Sequence, residues 1–201
     1  MSTKAIIWDF AGVLLHTVKG DFNSLLAERL DVPIEEIVRV FSTEENSQWD
    51  LGEIDDHDFF TFVLKELQLP EEKRAVLDRF VLKDFYVQAE LLEYIRGIRK
   101  TYMTVLLTNF PTHLHDFLKT DWHIDNTFDH LIASCDIKLI KPDERIYRYT
   151  LEKLGCLAEE TIFIDDREVN IKGAQAVGIP SLLYRNTPQI VADIQKIIGS
   201  D

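Results

Sequence analysis

The stretch Ile6-Ile7-Trp8-Asp9-Phe10-Ala11-Gly12-Val13-Leu14-Leu15 decides how this chain is read. An apolar run ends at a carboxylate, a glycine lets the backbone turn, and apolar residues resume. Physically this is a buried strand that carries Asp9 to its C-terminal tip, the edge at which open α/β sheets hold their ligands. Three later stretches look like partners for it: Leu107-Thr108-Asn109, residues 138–143, and Phe163-Ile164-Asp165-Asp166.

The 201 residues suffice for one domain or two small ones, and 46% hydrophobic content supplies a real core. A net charge of −13 and a pI near 4.9 argue against nucleic acid or an anionic membrane as partners, since the long-range field repels both. A small anionic substrate is compatible, because a bound cation and one or two lysines reverse the sign of a pocket locally. Cys135 and Cys156 are the only cysteines, with neither metal-ligand spacing nor a framework of pairs, which suits a reducing cytoplasm. The apolar run after Lys4 is broken by Asp9, so no secretion signal is expected, and no apolar run is long enough to span a bilayer. A cytoplasmic protein is the expectation.

The first strand is expected over 4–9 and an irregular exit loop over 10–17. From 21 to 92 no strand is expected. Helical spacing instead runs through Phe22, Leu25, Leu26 and Leu30, then Ile34, Ile37, Val38 and Phe41. Asp21 suits an N-cap, and Pro33 the first turn of the second helix. Beyond Gly52, Asp55 or Asp56 caps a helix with Phe59, Phe60, Val63, Leu64 and Leu67 on its apolar face; Pro70 opens another through Ala75, Val76, Phe80 and Val81. The pattern then alternates. Helices are expected over 88–100, after Pro111, over 142–154, up to Gly178, and after a Thr187-Pro188 cap; strands are expected over 103–108, 130–134, 161–165 and 181–184. Such alternation indicates a parallel sheet covered on both faces. Residues 1–16 and 93–201 are thus expected to form an α/β core, and 17–92 an all-helical insert.

Each strand of interest ends in a polar group: Asp9, Thr108-Asn109, Asp165-Asp166. Parallel strands bring those tips to one edge. Three carboxylates meeting there with one hydroxyl and one lysine repel one another unless a cation is bound. A hard ion such as Mg²⁺ resolves this, since it takes carboxylates, a carbonyl and waters and commonly binds together with a phosphate.

Asp9-Phe10-Ala11-Gly12-Val13, Leu107-Thr108-Asn109, Lys141-Pro142 and Phe163-Ile164-Asp165-Asp166, with Asn170 a helical turn later, resemble the four motifs of the haloacid dehalogenase (HAD) superfamily. They occur in the family's order and span essentially the whole chain, and the helical insert stands where a C1-type cap would lie. Residues 128–134 and 141–147 are most similar to the phosphatase domain of soluble epoxide hydrolase and to bacterial α-glucose-1-phosphate phosphatases. The resemblance implies a Rossmannoid core whose five parallel strands lie in the order 3-2-1-4-5, the first and fourth side by side, with an inserted all-α cap. It implies Asp9 as a nucleophile that forms an aspartyl-phosphate. It implies Mg²⁺ held by Asp9, the Ala11 carbonyl and Asp166, with Asp165 beside them and Asn170 orienting the acidic pair. Thr108 and the Asn109 amide would hold phosphate oxygens, and Lys141 would neutralise charge on the phosphoryl group. Lys141 also precedes Pro142 at an expected helix start, where free N–H groups favour anions. The implied activity is Mg²⁺-dependent hydrolysis of a small phosphorylated metabolite, with a sugar phosphate as the favoured class.

One position departs from the family. Its phosphatases carry a second aspartate two residues after the nucleophile, where this chain has Ala11. Losing a positioned general acid/base costs roughly a hundred- to ten-thousand-fold in rate. Three readings stay open. The leaving group needs little help, as with an anomeric sugar phosphate or an acyl phosphate. Or the chain hydrolyses a C–P bond, as in the phosphonoacetaldehyde hydrolases, which have alanine here and use a cap lysine; Lys65, Lys73 and Lys83 are available. Or it binds phosphate with weak or no turnover. Dehalogenation is disfavoured, because those relatives carry tyrosine at this place and need no metal.

Glu53 and His16 are the candidates to replace the missing group, and Trp49-Asp50-Leu51-Gly52-Glu53 is expected near the site. Lys138 and the six histidines are assigned to the surface or to loops, Cys135 to an apolar environment, and Phe59, Phe60 and Phe62 to the core of the cap. The sequence sets no oligomeric state.

Overall fold

The computed structural model describes residues 2–111 and 114–199, and for residues 79–83 the backbone only. His113 and the side chains of Phe80, Val81 and Lys83 therefore lie outside the described residues. In chain order, β1 (Ala5–Trp8) and β2 (Leu15–Thr17) precede five helices: α1 (Phe22–Leu30), α2 (Ile34–Val40), α3 (Glu44–Asp50), α4 (Asp56–Glu66) and α5 (Arg74–Lys83). Next come β3 (Phe85–Val87), α6 (Ala89–Ile98), β4 (Met103–Thr108), the single turn α7 (Leu114–Asp116), β5 (His130–Ala133), α8 (Ser134–Ile137) and α9 (Glu144–Leu154). The chain ends in β6 (Thr161–Asp165), α10 (Glu168–Ala176), β7 (Ser181–Leu183) and α11 (Thr187–Ile198).

Five strands form a parallel sheet in the order β5-β4-β1-β6-β7, which is 3-2-1-4-5 when only its own strands are counted. β1 is central, with Trp8 opposite Leu106 on one side and Ile164 on the other. Its alternating side chains feed two cores. Ile6 and Trp8 join Leu106, Ile162 and Ile164 under α6 and α11, while Ala5 and Ile7 join Val105, Leu107 and Phe163 under α9 and α10. Burial on both faces is why β1 is apolar throughout and why β4 and β6 are apolar over most of their length. The helical segment has its own cluster, built around Leu26, Leu30, Ile37, Phe59 and Val63. Among the described residues no helix is long and apolar enough to cross a membrane.

Caps follow local chemistry. Asp21 accepts from the Ser24 N–H and Asp55 from the Asp58 N–H, each satisfying a free donor of a first turn.

Four expectations need correction. Residues 10–17 and 21–92 each contain a three-residue strand, β2 and β3, which pair antiparallel into a ribbon at the junction of insert and sheet. Elements this short fall below the length that a hydrophobic period can register. α6, through which the expected boundary at 92/93 passes, sides with the sheet: Leu91 and Ile95 lie in its core and Leu92 packs against it. α9 starts at Glu144, where Asp143 accepts from the Arg145 N–H, so Lys141 is not at a helix start. And α11 is capped by Asn186, not by Thr187.

Ile7 is fully buried in the central strand. Ile7→Ala is expected to cost about 2–5 kcal/mol of unfolding free energy, measured by urea titration.

Candidate active site

Asp9 leaves β1 with its N–H donating to the Ile164 carbonyl of β6 at 2.9 Å. The chain then folds back at once. The Phe10 carbonyl accepts from the N–H groups of Val13 (3.3 Å), Leu14 (2.8 Å) and Leu15 (2.8 Å), and the Phe10 ring is fixed edge-on to Trp122 at 5.2 Å. Gly12 makes the turn at φ +88°, and a Cβ there would lie 2.3 Å from Asp166 Oδ2. The turn after the first strand and the carboxylate after β6 share one space, which only glycine leaves open.

Lys141 is 3% exposed. Its Nζ lies 2.6 Å from Asp9 Oδ1 and 2.7 Å from Asp165 Oδ2. Asp165 is fully occupied: Oδ1 accepts from the Arg167 N–H (2.9 Å), and Asn170 Nδ2 lies 3.0 Å from both carboxylate oxygens. Asn170 is held in turn by the Tyr147 hydroxyl, which donates to its carbonyl at 2.8 Å. The loop that carries Lys141 is gripped by Asn109, whose Oδ1 accepts from the Lys141 N–H (2.8 Å) and whose Nδ2 donates to the Lys141 carbonyl (3.0 Å). Gly173 lets α10 close on that loop, since a Cβ there would lie 2.5 Å from the Pro142 carbonyl oxygen.

Ligand atoms of Asp9, Asp165 and Asp166 lie within 4.8 Å of one another. With one ammonium among three carboxylates, the ionised site holds two uncompensated negative charges. Burial pushes the Asp9 carboxyl up to about 7 against the pull of Lys141, with Asp165 and Asp166 raising it further. Burial opposes the charge on Lys141, but Asp9 and Asp165 together hold its pKa above the ordinary value. Burial and Asp165 also raise Asp166. An all-oxygen donor set with this charge fits a hard divalent cation. Asp166 is the carboxylate with room for one, being exposed where Asp165 is fully engaged.

A cavity of about 100 Å³ opens on this edge, lined by Asp9, Ala11, Thr108, Asn109, Lys141, Arg167 and Asn170. Thr108 is buried, its hydroxyl 3.3 Å from the Asn109 carbonyl. Since the Asn109 side chain is engaged with Lys141, only its main chain is left to meet a ligand. The expected residues therefore converge, with two exceptions. Glu53 is exposed and lines no cavity at the site. His16 donates from Nε2 to the Val13 carbonyl (2.9 Å) and lines a second cavity, of about 790 Å³, on the other side of Ala11. Lys65 and Lys73 line neither space. Of the histidines, His57 is exposed on α4, and His16 and His130 are half-buried within strands.

The insert is tied down by contacts invisible in the sequence. Lys138, expected to be a solvated lysine, donates to the Leu51 (2.6 Å) and Gly52 (2.9 Å) carbonyls, and Ser134 Oγ donates to the Asp50 carbonyl at 2.5 Å. These bonds hold the end of α3 on the rim of the site. They also place Asp50, whose carboxyl burial pushes up to about 7 although Arg167 and Lys141 pull it down. Asp50 belongs to the 49–53 stretch expected near the site, whereas Arg167 did not stand out from the other charged residues of the chain.

The sequence model of the haloacid dehalogenase-like hydrolases matches residues 3–178. The chain belongs to this family. As a HAD-like hydrolase it is 25% identical over 198 residues to a sesquiterpene phosphatase of Aspergillus oryzae, covering 98% of this chain and 97% of that one. Over 108 residues, 51% of its length, it is 32% identical to bifunctional epoxide hydrolase 2 of Rattus norvegicus, of which the match spans only 19%. In fold the hydrolase is similar to a HAD-like family hydrolase of Porphyromonas gingivalis (TM-score 0.78, 22% identity, 98% of both chains). It is also similar to a HAD family enzyme of Bacteroides thetaiotaomicron in complex with magnesium and inorganic phosphate (TM-score 0.74, 21% identity, 92% of this chain and 95% of that one).

The raised Asp50 pKa sets a test. In the fold its carboxyl keeps a proton that the unfolded chain releases near 3.8, so its contribution to stability is lost as pH rises from about 4 through 7. Asp50→Asn is expected to melt with the parent at pH 4 and at least about 2 °C above it at pH 8, measured by calorimetry across that range.

Proposed function

We propose that this hydrolase is a Mg²⁺-dependent phosphomonoesterase that works through an aspartyl-phosphate on Asp9. The observation that carries the reading is the small polar cavity, in which a buried carboxylate and a buried ammonium 2.6 Å apart face Thr108 and Asn109 beside two further carboxylates. In this reading Asp9, the Ala11 carbonyl and Asp166 hold the cation, which when bound neutralises charge on the carboxylates and on the phosphoryl oxygens. Asp165 and Asn170 act as positioning residues for Lys141. Asp9 attacks phosphorus, the bond from phosphorus to the leaving oxygen breaks, and that oxygen keeps the electron pair. Lys141, Thr108 and the Asn109 main chain face the phosphoryl oxygens, where donors aimed at developing charge lower the barrier most. Water then hydrolyses the aspartyl-phosphate and returns Asp9. No carboxyl stands at position 11 to protonate the leaving oxygen, which favours leaving groups that need little help. Anomeric sugar phosphates meet that condition, as do acyl and aryl phosphates.

The C–P alternative needs a cap lysine aimed at Asp9. Among the described side chains the lysine at Asp9 is Lys141, from the sheet edge, so we favour ester hydrolysis.

The test is phosphate release from a panel of sugar, acyl and aryl phosphates with Mg²⁺ and with EDTA. Turnover is expected with Mg²⁺ alone, at least about a thousandfold lower in Asp9→Asn. Ala11→Asp is expected to speed release from poor leaving groups by about a hundredfold while changing acetyl phosphate little. Release that survives EDTA or Asp9→Asn would overturn the proposal.

A further inference from the structure

Arg167 shares one property with Ala11 alone: both line the phosphate cavity of about 100 Å³ and the larger one of about 790 Å³. Its main chain is fixed. The N–H donates to Asp165 Oδ1 at 2.9 Å, and the carbonyl accepts from the Asn170 (3.0 Å) and Ile171 (3.1 Å) N–H groups as α10 begins. Its guanidinium is not fixed. Arg167 is exposed, and its side chain makes no hydrogen bond or ion pair with another described residue. Apart from Arg185, every other described arginine side chain donates to a neighbour. Asp50 and Asp166 feel the Arg167 charge, yet neither accepts a hydrogen bond from it. The other amine and amide side chains of the small cavity are committed: Lys141 to Asp9 and Asp165, Asn109 to the Lys141 main chain, and Asn170 to Asp165. Arg167 is therefore the cation of this pocket with all its donors to spare.

An in-line attack by Asp9 puts the leaving oxygen on the side of phosphorus away from that carboxylate. We propose that the Arg167 guanidinium is a catalytic residue that donates to the leaving oxygen and stands in for the carboxyl absent at position 11. The assignment rests on the phosphomonoesterase reading and deepens it. As the bond from phosphorus breaks and the oxygen keeps the electron pair, charge-assisted N–H donors stabilise the charge that develops there. A guanidinium does not give up its own protons. The departing oxygen takes its proton from solvent, and the water that hydrolyses the aspartyl-phosphate later returns one.

The experiment compares aryl phosphates of graded phenol acidity, with acetyl phosphate as reference, across the parent, Arg167→Gln, Arg167→Lys, Ala11→Asp and the double variant Ala11→Asp/Arg167→Gln. In Arg167→Gln, kcat is expected to fall about a hundredfold for the poorest leaving groups, and at least about tenfold less for acetyl phosphate. Arg167→Lys is expected to recover part of the loss, since it keeps the charge without the planar fork. Beside Ala11→Asp, Arg167→Gln is expected to cost less than about threefold, because a carboxylic acid then serves the same oxygen. A loss equal for all leaving groups, or one that Ala11→Asp does not relieve, would overturn the inference and leave the phosphatase reading standing. In parallel, calorimetry with Mg²⁺ compares inorganic phosphate with orthovanadate, whose adduct on Asp9 carries an oxygen opposite that carboxylate. Arg167→Gln is expected to weaken vanadate at least about tenfold more than phosphate. Absence of turnover in the parent would overturn the phosphatase reading. Equal weakening of vanadate and phosphate would overturn the Arg167 assignment, with or without turnover.

Discussion

The site depends on one buried ammonium held between two buried carboxylates. Lys141 lies 2.6 Å from Asp9 and 2.7 Å from Asp165, all three nearly sealed from water. Taking such charges out of solvent costs several kcal/mol each, and their attraction repays it only where geometry is good and remaining hydrogen bonds are met. The surrounding structure meets them. Asn109 fixes the Lys141 backbone from two sides, Asn170 and the Arg167 N–H saturate Asp165, and Tyr147 fixes Asn170. The triad therefore ties the Lys141 loop to the tips of two adjacent parallel strands.

The same arrangement leaves charge unbalanced. Asp166 adds a third carboxylate and nothing in the triad answers it, so the edge is built to accept positive charge from outside. The glycine turn at Gly12 keeps that carboxylate accessible, while Asp165, one residue earlier, is committed to Lys141. Adjacent aspartates thus have different surroundings because successive residues at a strand end point to different sides. One faces the buried loop and one faces the open edge.

Two cavities adjoin at this edge, with Ala11 and Arg167 lining both. The sheet edge is nearly all polar and charged, and the proposed phosphoryl chemistry belongs there. The larger space takes its walls from the insert, the β2–β3 ribbon and the core residues Gly12, Asp166, Arg167, Tyr184 and Arg185, and Lys138 and Ser134 tie the insert back to the core. Among the described residues, no side chain of the insert hydrogen-bonds Lys141, Asp9 or Asp165, although Asp50 lies close enough to feel the Lys141 charge.

Much of this was legible from residue order alone. Apolar runs ending at Asp9, Thr108 and Asp165 mark doubly buried strands with polar tips, and parallel strands must bring those tips to one edge. Strong local signals such as Asp21 and Asp55 capped the expected helices, because capping is settled within four residues. What the sequence withheld were pairings between distant segments. β2 and β3 are too short to show a period and exist only because each supplies the other's hydrogen bonds. The grip of Asn109 on Lys141, the tie from Lys138 to the insert and the raised pKa of Asp50 all depend on which groups lie across space. By itself the sequence determined the strands of the sheet and the residues at its edge, since burial and period act locally along the chain, while the strand order followed from the family resemblance. Only the tertiary structure decided how those residues divide the work, because burial and partner distance set charge, and neither is written in the spacing of residues.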